Sequence, residues 1–281
     1  MISLRSALQR KPRRRFYGDG ILGGLLLLLV IIPALLAPWL PLPDPLTNDL
    51  AAAFSAPGAH HLLGTDQLGR DLLSRILSGT RLSLMIVLLA AAIAAVTGSL
   101  LGMIAGYAGG WLDALIMRLM DIQLAVPFIL LILLVMALFG ASLTNIILIM
   151  GVTSWAIYAR VARAKTLEIR ELEYIESVKA MGFSAPRILL RHVFPNLLTP
   201  LIVLLTLDIP RLIVLEASIG FLGMGIQPPT PTLGNLIGEG RSYMLLAQWL
   251  VLYPGLVIAA LVVSCNLLGD SLLRKTHTRL D

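Results

Sequence analysis

This chain is short of charge, of aromatic rings and of cysteine. Of its 281 residues, 14% are Asp, Glu, Lys or Arg and 6% are Phe, Trp or Tyr, whereas 57% are hydrophobic. A soluble domain carries about 25% charged residues. A globule of this length cannot bury so much apolar surface, so lipid must act as solvent for much of it. The single cysteine, Cys265, lies in an apolar run, excludes an intrachain disulfide and says nothing about redox compartment. The sequence also lacks a GxxxxGK[ST] phosphate loop, an HExxH pair and a pair of cysteines for a metal. Gly220–Gly225 (GFLGMG) is glycine-dense, but no Lys and Ser/Thr follow it as a nucleotide site requires. No internal repeat is visible, which gives an inverted-repeat secondary transporter little support. The chain is therefore read as a non-enzyme that binds no ATP, cofactor or metal itself. The neighbours His60 and His61 are read as ordinary surface residues.

What is present is a series of apolar windows long enough to cross a bilayer. They predict an all-α integral membrane protein with about six transmembrane helices: Ile21–Leu40, Leu82–Tyr107, Ala114–Phe139, Asn145–Val161, Leu197–Ile219 and Trp249–Leu268. The formal charge of +6 would suggest nucleic acid in a soluble protein. Here the basic residues flank apolar spans and report topology instead. Arg5, Arg10, Lys11 and Arg13–Arg15 precede the first span. Arg163, Lys165, Arg170, Lys179, Arg187 and Arg191 follow the fourth, and Arg274, Lys275 and Arg279 follow the last. Arg70, Arg75, Arg81 and Arg241 on the other side are diluted by Asp44, Asp49, Asp66, Asp71 and Glu239. The positive-inside rule then puts both termini in the cytoplasm. The first apolar run exceeds a signal-peptide core and is read as an uncleaved helix.

These boundaries divide the chain into a basic cytoplasmic arm (1–20), a first helix (21–40), an external segment (41–80), a core of spans (81–270) and a cytoplasmic tail (271–281). The external segment predicts a short helix feeding the second span, capped by Asp66 or Thr65. Gly220–Gln248 is too rich in Gly and Pro for a span and is expected to fold back on the bundle. Gly98, Gly102 and Gly106, four apart, suit close helix packing, either within the bundle or against a second subunit.

Ionisable residues at membrane depth are costly and usually face a cavity or a partner. Asp208 and Arg211 are spaced for one helix face, which suits a structural ion pair or a polar lining of a path. Glu216 has no evident local partner and is a second candidate for a path. Asp113, Arg118 and Asp121, and Asn266 with Asp270, flank helix ends.

The polar stretch Tyr174–Asn196 (YIESVKAMGFSAPRILLRHVFPN), within a loop spanning 162–196, resists explanation as filler. Its pattern predicts a helix to Ala180, a bend at Gly182 and a second helix opening near Pro186. A solvated loop would not need Met181, Phe183, Ile188 and Leu189 exposed. A docking elbow for a cytoplasmic protein accounts for both the charge and the apolar residues.

Glu176–Ser177–Val178, then Gly182, then His192–Val193–Phe194–Pro195 resembles the EAA–x3–G–x9–I–x–LP signature of bacterial ABC importer permeases. Gly64–Thr65–Asp66, Gly69–Arg70–Asp71 and Ser74–Arg75 are similar to the GTDxxGRDxxSR segment of the dipeptide, oligopeptide and nickel permease subfamily. Phe221–Gly225 with Gln227–Pro228–Pro229, and Asn266–Asp270, resemble its FLGxGxQPP and NLxGD elements. Ser177, Val178, His192 and Phe194 depart from the signature, as do Thr232–Leu233 and the tail. The resemblance implies the type I importer permease fold and a multi-pass place in the bacterial plasma (inner) membrane. It implies as partners a second homologous permease, two cytoplasmic ATPases that carry the ATP and Mg, and an external substrate-binding protein. Glu176, Lys179, Ala180, Gly182 and Arg187 would dock the ATPase. Asp208, Arg211 and Glu216 stand as candidates for the path. The implied cargo is short peptides, with nickel or a metal chelate as the alternative. A stand-alone secondary transporter or a membrane scaffold is the alternative of another class.

Overall fold

Backbone N–H and C=O groups find no water in hydrocarbon, so apolar runs of this length pair their backbone within each helix. The computed structural model describes residues 15–277, with side chains described over 19–274. The basic residues before Arg15 and Arg279 lie outside them. The described residues form ten α-helices and no strand: α1 Arg15–Leu36, α2 Leu72–Ala108, α3 Gly110–Ala125, α4 Phe128–Phe139, α5 Leu143–Arg170, α6 Glu173–Ala180, α7 Ala185–Ile188, α8 Phe194–Phe221, α9 Leu233–Gly240 and α10 Trp249–His277. Five continuous helical stretches are long and apolar enough to cross a membrane, and a sixth crossing exists if α3 and α4 count as one span.

That sixth crossing corrects the expectation of a single helix over Ala114–Phe139. The axis turns by 86° between α3 and α4. The cause is local. Pro127 has no N–H to donate, and it pushes Val126 before it into an extended conformation (φ −85°, ψ 127°). A hydropathy window sums composition and cannot register this break.

The second correction concerns α2. No separate short helix precedes the span, and neither Thr65 nor Asp66 caps it. The Asp66 carboxylate instead accepts from the N–H groups of Leu68 and Arg70, closing a turn that Gly69 completes at φ +72°. Asp71 is the cap, accepting from the Ser74 N–H at 2.9 Å. From there α2 runs unbroken for 37 residues.

Helices α2 and α5 run parallel and form the tightest pair. A Cβ on Gly98 or Gly102 would collide with the carbonyl oxygens of Trp155 or Ala159, and one on Gly106 would stand 2.8 Å from the Arg163 carbonyl oxygen. The glycine stripe therefore serves packing inside the bundle, the first of the two readings of its spacing. The helix α1 packs on α10, and α8 packs between α10 and α2. Two apolar cores result: one around Ile86, Ile132, Met150, Leu212 and Leu261, the other at the α6–α7 end around Met103, Tyr158, Ile175 and Leu197. As expected, the Gly/Pro-rich segment folds back. Its helix α9 opens with a Thr232–Asn235 capping box and packs on α8 and α10.

Candidate functional site

The elbow is built from two short helices rooted in the second core. Ile175 and Val178 on α6, Ile188 on α7 and Val193 beyond it are buried against Met103, Ala162 and Ile169. The α6 helix ends in a Schellman turn: the Gly182 N–H donates to the Lys179 carbonyl at 2.9 Å, and the Phe183 N–H to the Val178 carbonyl at 3.4 Å. The turn requires the left-handed backbone that Gly182 adopts at φ +83°. Pro186 sits in the first turn of α7, where its missing N–H costs nothing. Pro195 then denies the chain an α-helical donor. The backbone widens into a π turn over Leu189–Val193, in which the Phe194 N–H donates to the Leu189 carbonyl.

This rooting fixes which side chains face out. Glu176, Lys179, Ala180, Gly182 and Arg187 are all exposed on the rim, and Met181 is 66% exposed among them. The expectation that Ile188 is exposed is wrong: it is fully buried and anchors α7. Phe183 and Leu189 are half-buried, while Leu190 supplies the exposed apolar surface that the sequence reading assigned to them. The rim cations are steadied from below by ring faces. Lys179 Nζ lies 5.5 Å from the Tyr107 ring centroid and Arg187 Cζ 5.3 Å from that of Phe183. The Tyr174 and His192 rings meet at 6.1 Å and join the two halves of the elbow.

The intramembrane candidates fall into two groups. Arg211 Nε donates to Asp208 Oδ1 at 2.6 Å and Arg211 Nη2 to Ser154 Oγ at 3.1 Å. The Tyr158 hydroxyl donates to Asp208 Oδ2 at 3.1 Å. Asp208 is buried, whereas the Arg211 side chain is 46% exposed. Glu216 lies apart from them, buried at the junction of α2, α8 and α9. There it meets the hydroxyls of Ser83 and Thr232, partners that its own helix does not contain.

Sequence reasoning missed the largest polar cluster. Arg70 and Arg75 are buried with Asp66 in the segment before and at the start of α2, and both arginines meet Glu239 of α9. Arg70 Nε donates to Asp66 Oδ2 at 2.6 Å, and Arg75 Nη1 bonds the same oxygen. Glu239 Oε2 accepts from Arg70 Nη2 and from both Arg75 Nη atoms at 3.2 Å. The acid–Arg spacing of GTDQLGRDLLSR was a visible signal, but its partner on α9 was not. His61 Nδ1 hydrogen-bonds with Asp71 Oδ2 at 3.0 Å. Among the described residues no three His, Cys, Asp or Glu side chains gather as a metal site. At the elbow end, Asp113 holds Arg163 through a two-bond fork, and Arg170 Nη1 donates to the last carbonyls of α2, Gly106 and Tyr107, at 3.2 Å.

Comparison with known proteins gives this geometry a context. A family described as "Binding-protein-dependent transport system inner membrane component" matches residues 98–281. A dipeptide transport system permease protein DppC of Haemophilus influenzae is 40% identical over 258 residues, covering 90% of this chain and 88% of that protein. A di/tripeptide transport system permease protein DppC of Pseudomonas aeruginosa is 40% identical over 263 residues, covering 91% and 87%. Among solved structures, an inward-facing form of the MetNI methionine ABC transporter has a chain that superposes with a TM-score of 0.56 at 21% identity. The match covers 71% of this chain and 95% of that one, a likeness of fold.

Proposed function

Because the chain belongs to the family of binding-protein-dependent transport system inner membrane components, we propose that it is the permease subunit through which an ATP-driven importer moves short peptides. Family membership replaces the stand-alone secondary transporter and the scaffold. The peptide cargo rests on the relatives, which are named for dipeptide and di/tripeptide transport across about nine-tenths of this chain.

The observation that carries the mechanism is the elbow. Its apolar side is rooted among the span ends, while Glu176, Lys179, Ala180, Gly182 and Arg187 form an exposed rim. A rim of this kind suits a cytoplasmic ATPase subunit, which would hold the ATP and Mg. With the elbow in the cytoplasm, both termini lie there too, and α9 lies on the external side, toward a substrate-binding protein. A second homologous permease completes the pathway, and nucleotide binding biases the bundle between outward- and inward-facing states.

Affinity purification of the tagged chain from membranes tests this reading. ATPase subunits are expected to co-purify, and Lys179→Glu with Arg187→Glu is expected to reduce their recovery at least tenfold while the chain stays inserted. Peptide uptake by vesicles containing this chain alone would overturn the assignment.

A further inference from the structure

Two features that hydrocarbon disfavours lie side by side in the middle of the bundle. The first is Arg211, with its side chain 46% exposed. It stands ten residues before the end of α8, about 15 Å in at 1.5 Å per residue. An Arg at the centre of a membrane helix costs about 2.5–3.5 kcal/mol on insertion scales and is found facing a cavity or a partner. The second is the break at Val126–Pro127, which frees backbone groups at the end of α3 and the start of α4. Irregular backbone at this depth is tolerated only where protein covers it or water reaches it. The two coincide: Arg211 Cζ is 5.7 Å from the ring centroid of Phe128, the first residue of α4. On the last turn of α3, Gln123 donates to the carbonyl of Thr153, the residue before Ser154. A polar passage along this face explains all three placements.

The arrangement around Arg211 sets what the passage recognises. A guanidinium has five N–H donors in a fixed fork. Asp208 takes Nε and Ser154 takes Nη2, while Nη1 has no acceptor among the described residues. Asp208 is itself held from behind by the Tyr158 hydroxyl. The Asp208–Arg211 pair carries no net charge, so it offers a positioned fork rather than an excess of positive potential. A planar carboxylate is the group that such a fork pairs with best. Every unmodified peptide carries one at its C-terminus, whatever its side chains. Competition from Asp208 keeps the contact weak enough to release, as a conducting site requires.

We propose that Arg211 pairs with the C-terminal carboxylate of the peptide in transit, with Asp208 and Ser154 as positioning residues. The proposal rests on the peptide-permease reading given above. The test uses the complete transporter in proteoliposomes, with binding protein saturated by a dipeptide or by its C-terminal amide. Uptake of the free dipeptide by the wild-type complex checks the peptide reading itself; no uptake would sink that reading. Given wild-type uptake, Arg211→Gln is expected to lower the maximal rate for the free dipeptide at least tenfold. It should leave amide uptake and binding-protein-stimulated ATP hydrolysis within twofold of wild type, and Arg211→Lys should restore most of the rate. Equal loss for the acid and the amide would mean a structural role and would overturn the proposal. So would an unchanged rate in Arg211→Gln, or an Arg211→Lys variant as poor as Arg211→Gln.

Discussion

Arg75 on α2 and Glu239 on α9 are 164 residues apart in sequence, yet both Nη atoms of Arg75 donate to one Glu239 oxygen at 3.2 Å. Arg75 is 1% exposed and also binds Asp66, so it fastens the stretch before α2 to the folded-back helix α9. Removing one member of a buried ionic cluster leaves uncompensated charge, at about 3–5 kcal/mol. Arg75→Ala is therefore expected to lower thermal stability of the purified protein by that order. A melting temperature within a degree of wild type would show that the cluster does not hold the two segments together.

The α2–α5 seam makes a sharper structural prediction. Gly98→Leu and Gly102→Leu each drive a side chain into the backbone of α5, where no flexible group can yield. Overpacking of this sort costs about 1–3 kcal/mol or more. We expect severe loss of folded protein in membranes, whereas Gly255→Ala on α10, with open space around it, should accumulate normally. Comparable yields for all three variants, read by quantitative blotting, would contradict the seam.

At the elbow, Gly182 has φ +83° and nothing within 4 Å of a Cβ placed there. Strain is thus the whole cost of a side chain, about 1–2 kcal/mol, and Asn suffers less of it than Val. Gly182→Asn should keep uptake near wild type, while Gly182→Val, and Gly182→Asp with an added charge on the rim, should leave ATP hydrolysis running with uptake lost. Normal uptake by Gly182→Asp would remove the elbow from the coupling path.

Mid-bundle, the Tyr158–Asp208 and Asp208–Arg211 contacts predict unequal losses. Tyr158→Phe deletes one hydrogen bond, about 1 kcal/mol. Asp208→Ala removes the acceptor of both Arg211 and the Tyr158 hydroxyl and should cost more, about 1.5–3 kcal/mol, the half-exposed Arg211 being screened. Thermal unfolding in nanodiscs compares them. Equal shifts for the two variants would mean that Asp208 does not organise the cluster.

What could be read from the sequence followed what is local in it. The lengths of the apolar runs gave the number of apolar windows. The positions of Gly182 and Pro186 gave the elbow, because a left-handed turn and a helix start are decided by neighbouring residues. The Asp208–Arg211 pair was legible for the same reason, being one helical turn apart. The rest depends on contacts between distant segments. Glu216 showed no local partner because Ser83 and Thr232 come from other helices. Ile188 seemed exposed because the core that covers it is assembled from α2, α5 and α8. The break at Pro127 was local, but it was averaged away within an apolar window.

The π turn joins the elbow to α8 without an intervening loop, giving one helical run, Ala185–Phe221, of 37 residues. At 1.5 Å per residue this is a lever about 56 Å long, on which a tilt of about 2° carries the far end some 2 Å, roughly the size of a hydrogen-bond rupture. Two joints within α8, Pro200 and Pro210, each interrupt its backbone hydrogen bonding, and the second adjoins Arg211. Stiffening either joint should change how much motion arrives rather than whether it arrives, so proline replacements here tune mechanical gain independently of grip.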